Sequence, residues 1–203
     1  MIGPELTLQL AAMRLLAGLL IAIVQGLVIA GVAVALGDKG PRYDGRLNPL
    51  SHFDVGGLAA LVLTGFGWSK RVAIDAAEMR VGRWGLVIAP LAGSVALLLL
   101  AWLILLLVIP ALTLLPHTSA IVVAAFLRTA AQLCVWMAIF SLIPLPPLAG
   151  AHFLAALGIR LPPRAGLIAA WALFVVSLLG ITRTVLTPVY TVVAALLLGP
   201  DFR

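Results

Sequence analysis

Two stretches of this sequence, Leu15 to Leu36 and Leu86 to Ile109, stay apolar for longer than the roughly 20 residues a helix needs to cross a hydrocarbon core. A soluble domain would have to bury such runs completely, and a chain of 203 residues offers little to bury them with. The composition closes that option: 64% of residues are hydrophobic and 10% charged, where a soluble domain is about a quarter charged. Disorder fails for lack of polarity. A disulfide scaffold fails because Cys134 is the only cysteine. The reading is an all-α polytopic membrane bundle, a single integral membrane domain over 1–203, with room for five or six membrane segments.

Further runs fill in the bundle. Ile121 to Ile143 is a third span. The C-terminal helical segment, 166–199, is interrupted by Gly180, Arg183 and Pro188, which predicts either one kinked helix or two short ones. Leu58 to Phe66 is apolar but too short to cross, so residues 57–67 are expected to be re-entrant. Residues 37–56 carry the Gly, Pro and Asp of turn chemistry, and His152 to Leu157 reads as a short helix. Ala33-Val34-Ala35 mimics a signal-peptidase site, but the run before it is longer than a signal h-region, and a retained helix is expected.

The net charge of +6 reads as loop asymmetry rather than as a nucleic-acid footprint, because no basic tract is interleaved with aromatics. Lys39, Arg42, Arg46, Lys70, Arg71, Arg80, Arg83, Arg160 and Arg164 should share the cytoplasmic side. The loop Pro110–Ser119 has no Lys or Arg and should lie outside.

Two segments carry a more specific signal. Residues 37–68 read GD…GRLNPLSHFD…GFGW, and residues 140–150 read FSLIPLPPLAG. Together they resemble the site-2 protease family of intramembrane zinc metalloproteases in its short bacterial form, over about residues 15–157. The resemblance implies that family's membrane-embedded core and a bacterial inner-membrane location. In the family an early helix carries HExxH, closed about nine residues later by Gly-Asp. The two His bind zinc, the Glu activates a water, and the Asp of a later LDG completes the ligand set.

Counted back from Gly37-Asp38, the HExxH positions fall on Gln25, Gly26 and Ile29, and the LDG aspartate falls on Ala149. The family's Asn before the proline run is Ser141. Its AGPxxN segment reads Ala92-Gly93-Ser94-Val95-Ala96-Leu97. The backbone-shaping residues Gly37, Pro49, Gly67, Gly93, Pro144, Pro147 and Gly150 persist while the chemistry is gone. The expectation is a catalytically inactive member with no cofactor. A replacement metal site at His52 and His152, with Asp54 nearby, is the weaker alternative, since structural zinc takes four ligands. The plainer reading has His52 and Asp54 bonding their own turn. Ser94 and Ser141 lack a candidate base.

What stands at the lost positions matters too. Gly18, Ala22, Gly26 and Ala30 recur at i,i+4, a spacing that lets helices approach closely in lipid. Two readings stay open: an internal contact, or a docking groove for a partner's transmembrane helix. Arg128, with Gln132 and Trp136 following at i,i+4 and i,i+8, lies inside a span, where an ionisable group normally faces protein or water. Snorkelling, pairing with Gln25 and an ion path are its three readings, and Arg183 is read the same way. The expected partners are membrane lipids and transmembrane helices of another protein or complex, with this chain as scaffold or accessory subunit. An active metalloprotease with unconventional ligands and a small transporter are the rivals.

Overall fold

The computed structural model describes residues 7–159 and 162–199; Arg160 lies outside them. All regular structure among these residues is helical. The first helix, α1 (Leu8–Ala35), starts at Thr7, whose hydroxyl accepts the Leu10 N–H at 3.2 Å. Its buried residues recur from Ala17 to Ala33 at helical spacing, so one face is covered along most of its length. A short α2 (Gly40–Tyr43) and a 3₁₀ turn (Pro49–His52) lead into α3 (Val55–Thr64), an irregular return, and a second 3₁₀ turn (Gly82–Trp84). Then come α4 (Gly85–Leu106), α5 (Val108–Leu114), α6 (His117–Phe140), α7 (Ala151–Ala156), α8 (Pro163–Leu178) and α9 (Ile181–Leu197).

Helices α1, α4 and α6 pack on one another and hold the core. That core runs through Ala17, Ile21, Leu97, Ala101, Ala130, Ala131, Cys134 and Phe140. Alanine at so many contact positions suits a lipid setting, where close packing rather than hydrophobicity drives helix association. Leu99, Trp102, Leu103 and Leu106 of α4 are exposed, as lipid-facing side chains would be.

Three helical stretches are long and apolar enough to cross a membrane: Leu8–Ala35, Gly82–Leu114 and His117–Phe140. A fourth crossing is available if α8 and α9, bent by 78° at their junction, act as one broken span. Among the described residues these crossings and the short α3, of 10 residues or about 15 Å of helix, together give the five or six membrane segments expected, according to whether α8 and α9 count as one.

The segment between α1 and α4 goes in and comes back on the same end of α1. Near that end, Lys39 N–H donates to Glu78 Oε2 at 2.9 Å, Asp75 N–H to Asp38 Oδ2 at 2.9 Å, and Arg80 N–H to the Leu36 carbonyl at 2.8 Å. Midway along, Lys70 N–H reaches the His52 carbonyl at 2.8 Å. At the tip, Arg14 Nη1 donates to the carbonyls of Val62 (2.9 Å) and Leu63 (3.4 Å) at the end of α3. This is the path of a re-entrant segment. Asp54 starts α3, its Oδ1 accepting Gly57 N–H (2.7 Å) and Trp68 Nε1–H (3.1 Å). Gly57 and Gly67 let the two arms touch: a Cβ on Gly57 would run into the Trp68 carbonyl, and one on Gly67 into the Gly57 carbonyl. Lys39 and Arg80 thus share one end of the bundle, while the α5–α6 junction lies at the other.

Candidate functional site

The residues that the family pattern assigns to chemistry do converge. Gln25 and Ile29 of α1, Ser141 at the end of α6, Ala149 of the proline-rich turn and His152 of α7 line one cavity. Trp68 to Val72 of the re-entrant return close it. Its volume is about 10 Å³, at the threshold for a single water. On the far side Gly93 of α4 lies against α1, where a Cβ would stand 2.7 Å from Ile29 Cγ1 and 3.4 Å from Gln25 Cγ. Gly93 thus keeps α4 in close contact with α1 beside this cavity.

The polar atoms here are arranged for packing more than for reaction. Ser94 and Ser141 bond to each other at 3.1 Å, and Ser141 donates onward to the Ala138 carbonyl. A chain from Ser94 to Ser141 to the carbonyl satisfies both hydroxyls, and no base adjoins them. Gln25 is buried with its Nε2 unpartnered. His52 is also fully buried, and neither of its ring nitrogens has a partner. This corrects one expectation: Asp54 bonds its own turn, and His52 does not. The His52 ring lies on Gly26 instead, in the space a Cβ there would need. His152, buried beside Arg71 and the Val72 backbone, is pushed down to about 4, mainly by burial and then by the Arg71 charge. Burial likewise lowers His52. Burial thus disfavours the charged form of both imidazoles.

The residues present do not fit zinc. Gln25, Ile29 and Ala149 offer no imidazole and no carboxylate, and the space is about that of one water. No group of three or more His, Cys, Asp or Glu that could hold a metal ion forms among the described residues. His52 and His152 therefore find no third ligand.

The small-residue stripe is covered by the chain itself. Gly18 lies against Leu61 and Leu58 of α3, with a would-be Cβ 2.8 Å from Leu61 Cδ2, and Gly26 lies against His52. Ala22 and Ala30 are buried. The docking-groove reading of these four residues is corrected, because the re-entrant segment already occupies that face. Arg128 is exposed and does not meet Gln25. The physical reason is distance along α6: Arg128 lies about 20 Å up the helix from Ser141, which shares the Gln25 cavity. Gln132 and Trp136 belong to a separate cavity with Arg14 and Arg183.

Sequence reasoning missed the lateral groove between α3 and α8, of about 480 Å³, lined by Ala59, Ala60, Leu63, Gly166, Ala170 and Trp171 among others. Trp68 and Pro147 border both this groove and the cavity beside Gln25. The Gly-Ala spacing on both helices was the available signal.

Against known proteins, the chain is 30% identical over 131 residues to "Putative zinc metalloprotease YwhC" of Bacillus subtilis (strain 168). The matched stretch covers 60% of this chain and 58% of that protein. The relationship is a distant one. The chain thus spans well under two thirds of its relative's length. No family model matches, and no solved structure does. A distant relationship to a metalloprotease agrees with the segments GRLNPLSHFD and PLPPLAG, and it does not carry that protein's activity to this chain.

Proposed function

We propose that this chain is a non-catalytic relative of the site-2 proteases, a membrane scaffold or accessory subunit that binds transmembrane helices of a partner or larger complex in the bacterial inner membrane. The observation that carries the reading is the convergence of Gln25, Ile29, Ser141 and Ala149 on one closed cavity with no zinc-competent side chain among them. Sequence drift alone would not empty one site of ionisable ligands while keeping the glycines and prolines that assemble it. Helix binding is the role left to a fold that presents an open apolar groove beside that cavity. Small side chains on both walls of the groove admit a helix at close range.

Two measurements test this. Elemental analysis of the purified protein should find no stoichiometric zinc; one tightly held zinc per chain would restore the active-protease rival. A photo-crosslinking residue at Ala59 or Ala170 should give adducts with a membrane protein that the same residue at Leu99, on the exposed face of α4, does not. Equal labelling from all three positions would remove the groove from the account. No feature of the described residues favours a transporter, since the polar groups fall into separate cavities.

A further inference from the structure

The cavity at the other end of α1 has a different chemistry. About 200 Å³ in volume, it lies between α1, the tip of the re-entrant segment, α6 and the start of α9. Arg14, Arg183 and Gln132 line it, with Thr64, Thr129 and Trp136. Two guanidinium groups thus face one space, and among the described residues no acidic side chain lines it. Like charges brought together at a membrane-buried or interfacial site need an anion or water between them. Arg14 is part-buried and pinned: Nη1 bonds the α3 carbonyls, while a guanidinium carries five N–H donors. Arg183 is held over the Trp136 ring at 5.7 Å, and Trp136 is in turn stacked on Tyr190 at 4.0 Å. Both forks are therefore pre-positioned.

Depth adds an independent clue. Arg14 lies about 31 Å along α1 from Ala35, close to the roughly 30 Å of a hydrocarbon core. Measured along α1 from the Asp38–Arg80 end, the cavity is thus reached after about one hydrocarbon thickness. We infer that Arg14, Arg183 and Gln132 form a binding site for a phosphate group, of the kind carried by an anionic phospholipid. Arginine forks match phosphate oxygens in bidentate geometry, and the Gln132 amide adds a neutral donor.

The test uses the intact protein in mixed bilayers of phosphatidylglycerol and phosphatidylcholine, followed by native mass spectrometry of the released chain. One phosphatidylglycerol per chain should be retained in preference to phosphatidylcholine. Arg183→Gln should weaken that retention about tenfold, the loss expected for one charge-assisted contact. Arg164→Gln should leave it unchanged. Arg183→Gln is chosen because Arg14 also anchors α3, and unchanged thermal unfolding in detergent would show that the fold persists. A parallel series with inorganic phosphate in lipid-free detergent identifies the source. Stabilisation by phosphate that Arg183→Gln abolishes, without lipid preference, assigns the same site to a free phosphate. Retention indifferent to headgroup, or equal in the Arg183 and Arg164 variants, together with no effect of inorganic phosphate, overturns the site.

Discussion

Helices α1 and α6 border two cavities that differ in size and in where their charge comes from. One, beside Gln25 and Ser141, holds about 10 Å³; α1, α6 and the proline-rich turn give it uncharged side chains, α7 gives it the single imidazole of His152, pushed down to about 4, and its two cations, Lys70 and Arg71, come from the return segment that closes it. The other, beside Arg14 and Gln132, holds about 200 Å³ and two cations. Low-dielectric interiors tolerate polar groups only when they are paired, and charges only when paired or solvated. The first is nearly filled, and its charges sit on the segment between α1 and α4 rather than on the helices themselves. The second is roomier, and its charges sit on the helices α1 and α9. The contrast shows that the same two helices enclose a closely packed site at one level and an open charged one at another.

The comparison can be broken at the closed end first. Gly26→Leu forces a side chain into the His52 ring, with α1 and the re-entrant segment both fixed around it. The expected loss is about 3 kcal/mol, the upper range for overpacking, read as lower thermal stability in detergent. Gly31→Ala on the same helix meets nothing within 4 Å and should be neutral or slightly stabilising. Equal effects would mean the closed packing is not what holds this end.

Acid should act next. His152 titrates near 6.5 in the unfolded chain and at about 4 in the folded one. Between those values the unfolded chain takes up a proton that the folded chain refuses. Stability is therefore full above about pH 6.5 and falls as pH drops toward 4, by on the order of 3 kcal/mol. His152→Leu should flatten that slope in a pH series of unfolding midpoints.

Smaller effects sharpen the picture. Ser94→Ala removes the donor to Ser141 and should cost about 1 kcal/mol. Gln25→Met removes an unpartnered amide and should change stability by no more than about 0.5 kcal/mol, in either direction. A large loss from Gln25→Met would mean that its amide is bonded within the cavity after all.

The sequence carried the bundle and the site unequally. Leu86–Ile109 and Ile121–Ile143 are visible to hydropathy alone because a spanning helix satisfies its own backbone. Residues 37–84 are not, because their path depends on distant partners: Asp38 on Asp75, Arg14 on Val62, His52 on Lys70. The short apolar run and the turn residues did mark that segment as re-entrant. The positions Gln25, Gly26, Ile29 and Ala149 were legible only through spacing from Gly37-Asp38 and the proline run. The cover on the Gly18–Ala30 stripe was not legible, since small-residue spacing does not say whose helix approaches. Arg183 showed itself as an interruption in an apolar run, and nothing in the sequence paired it with Arg14, far away near the other terminus.

Asp38 bears on how the molecule is assembled during synthesis. Its carboxylate accepts Gly40 N–H and, 37 residues further on, Asp75 N–H. The turn around His52 and the whole of α3 lie between those two contacts. All of these partners have been synthesised before the first residue of α4. The re-entrant segment can therefore latch onto α1 while the ribosome is still producing the second span. What it cannot do alone is cover Ile29, which waits for Gly93. Emergence of α4 is thus the step at which a half-wrapped first helix becomes a finished interior, and a chain arrested shortly after Arg80 should already resist protease between residues 39 and 74.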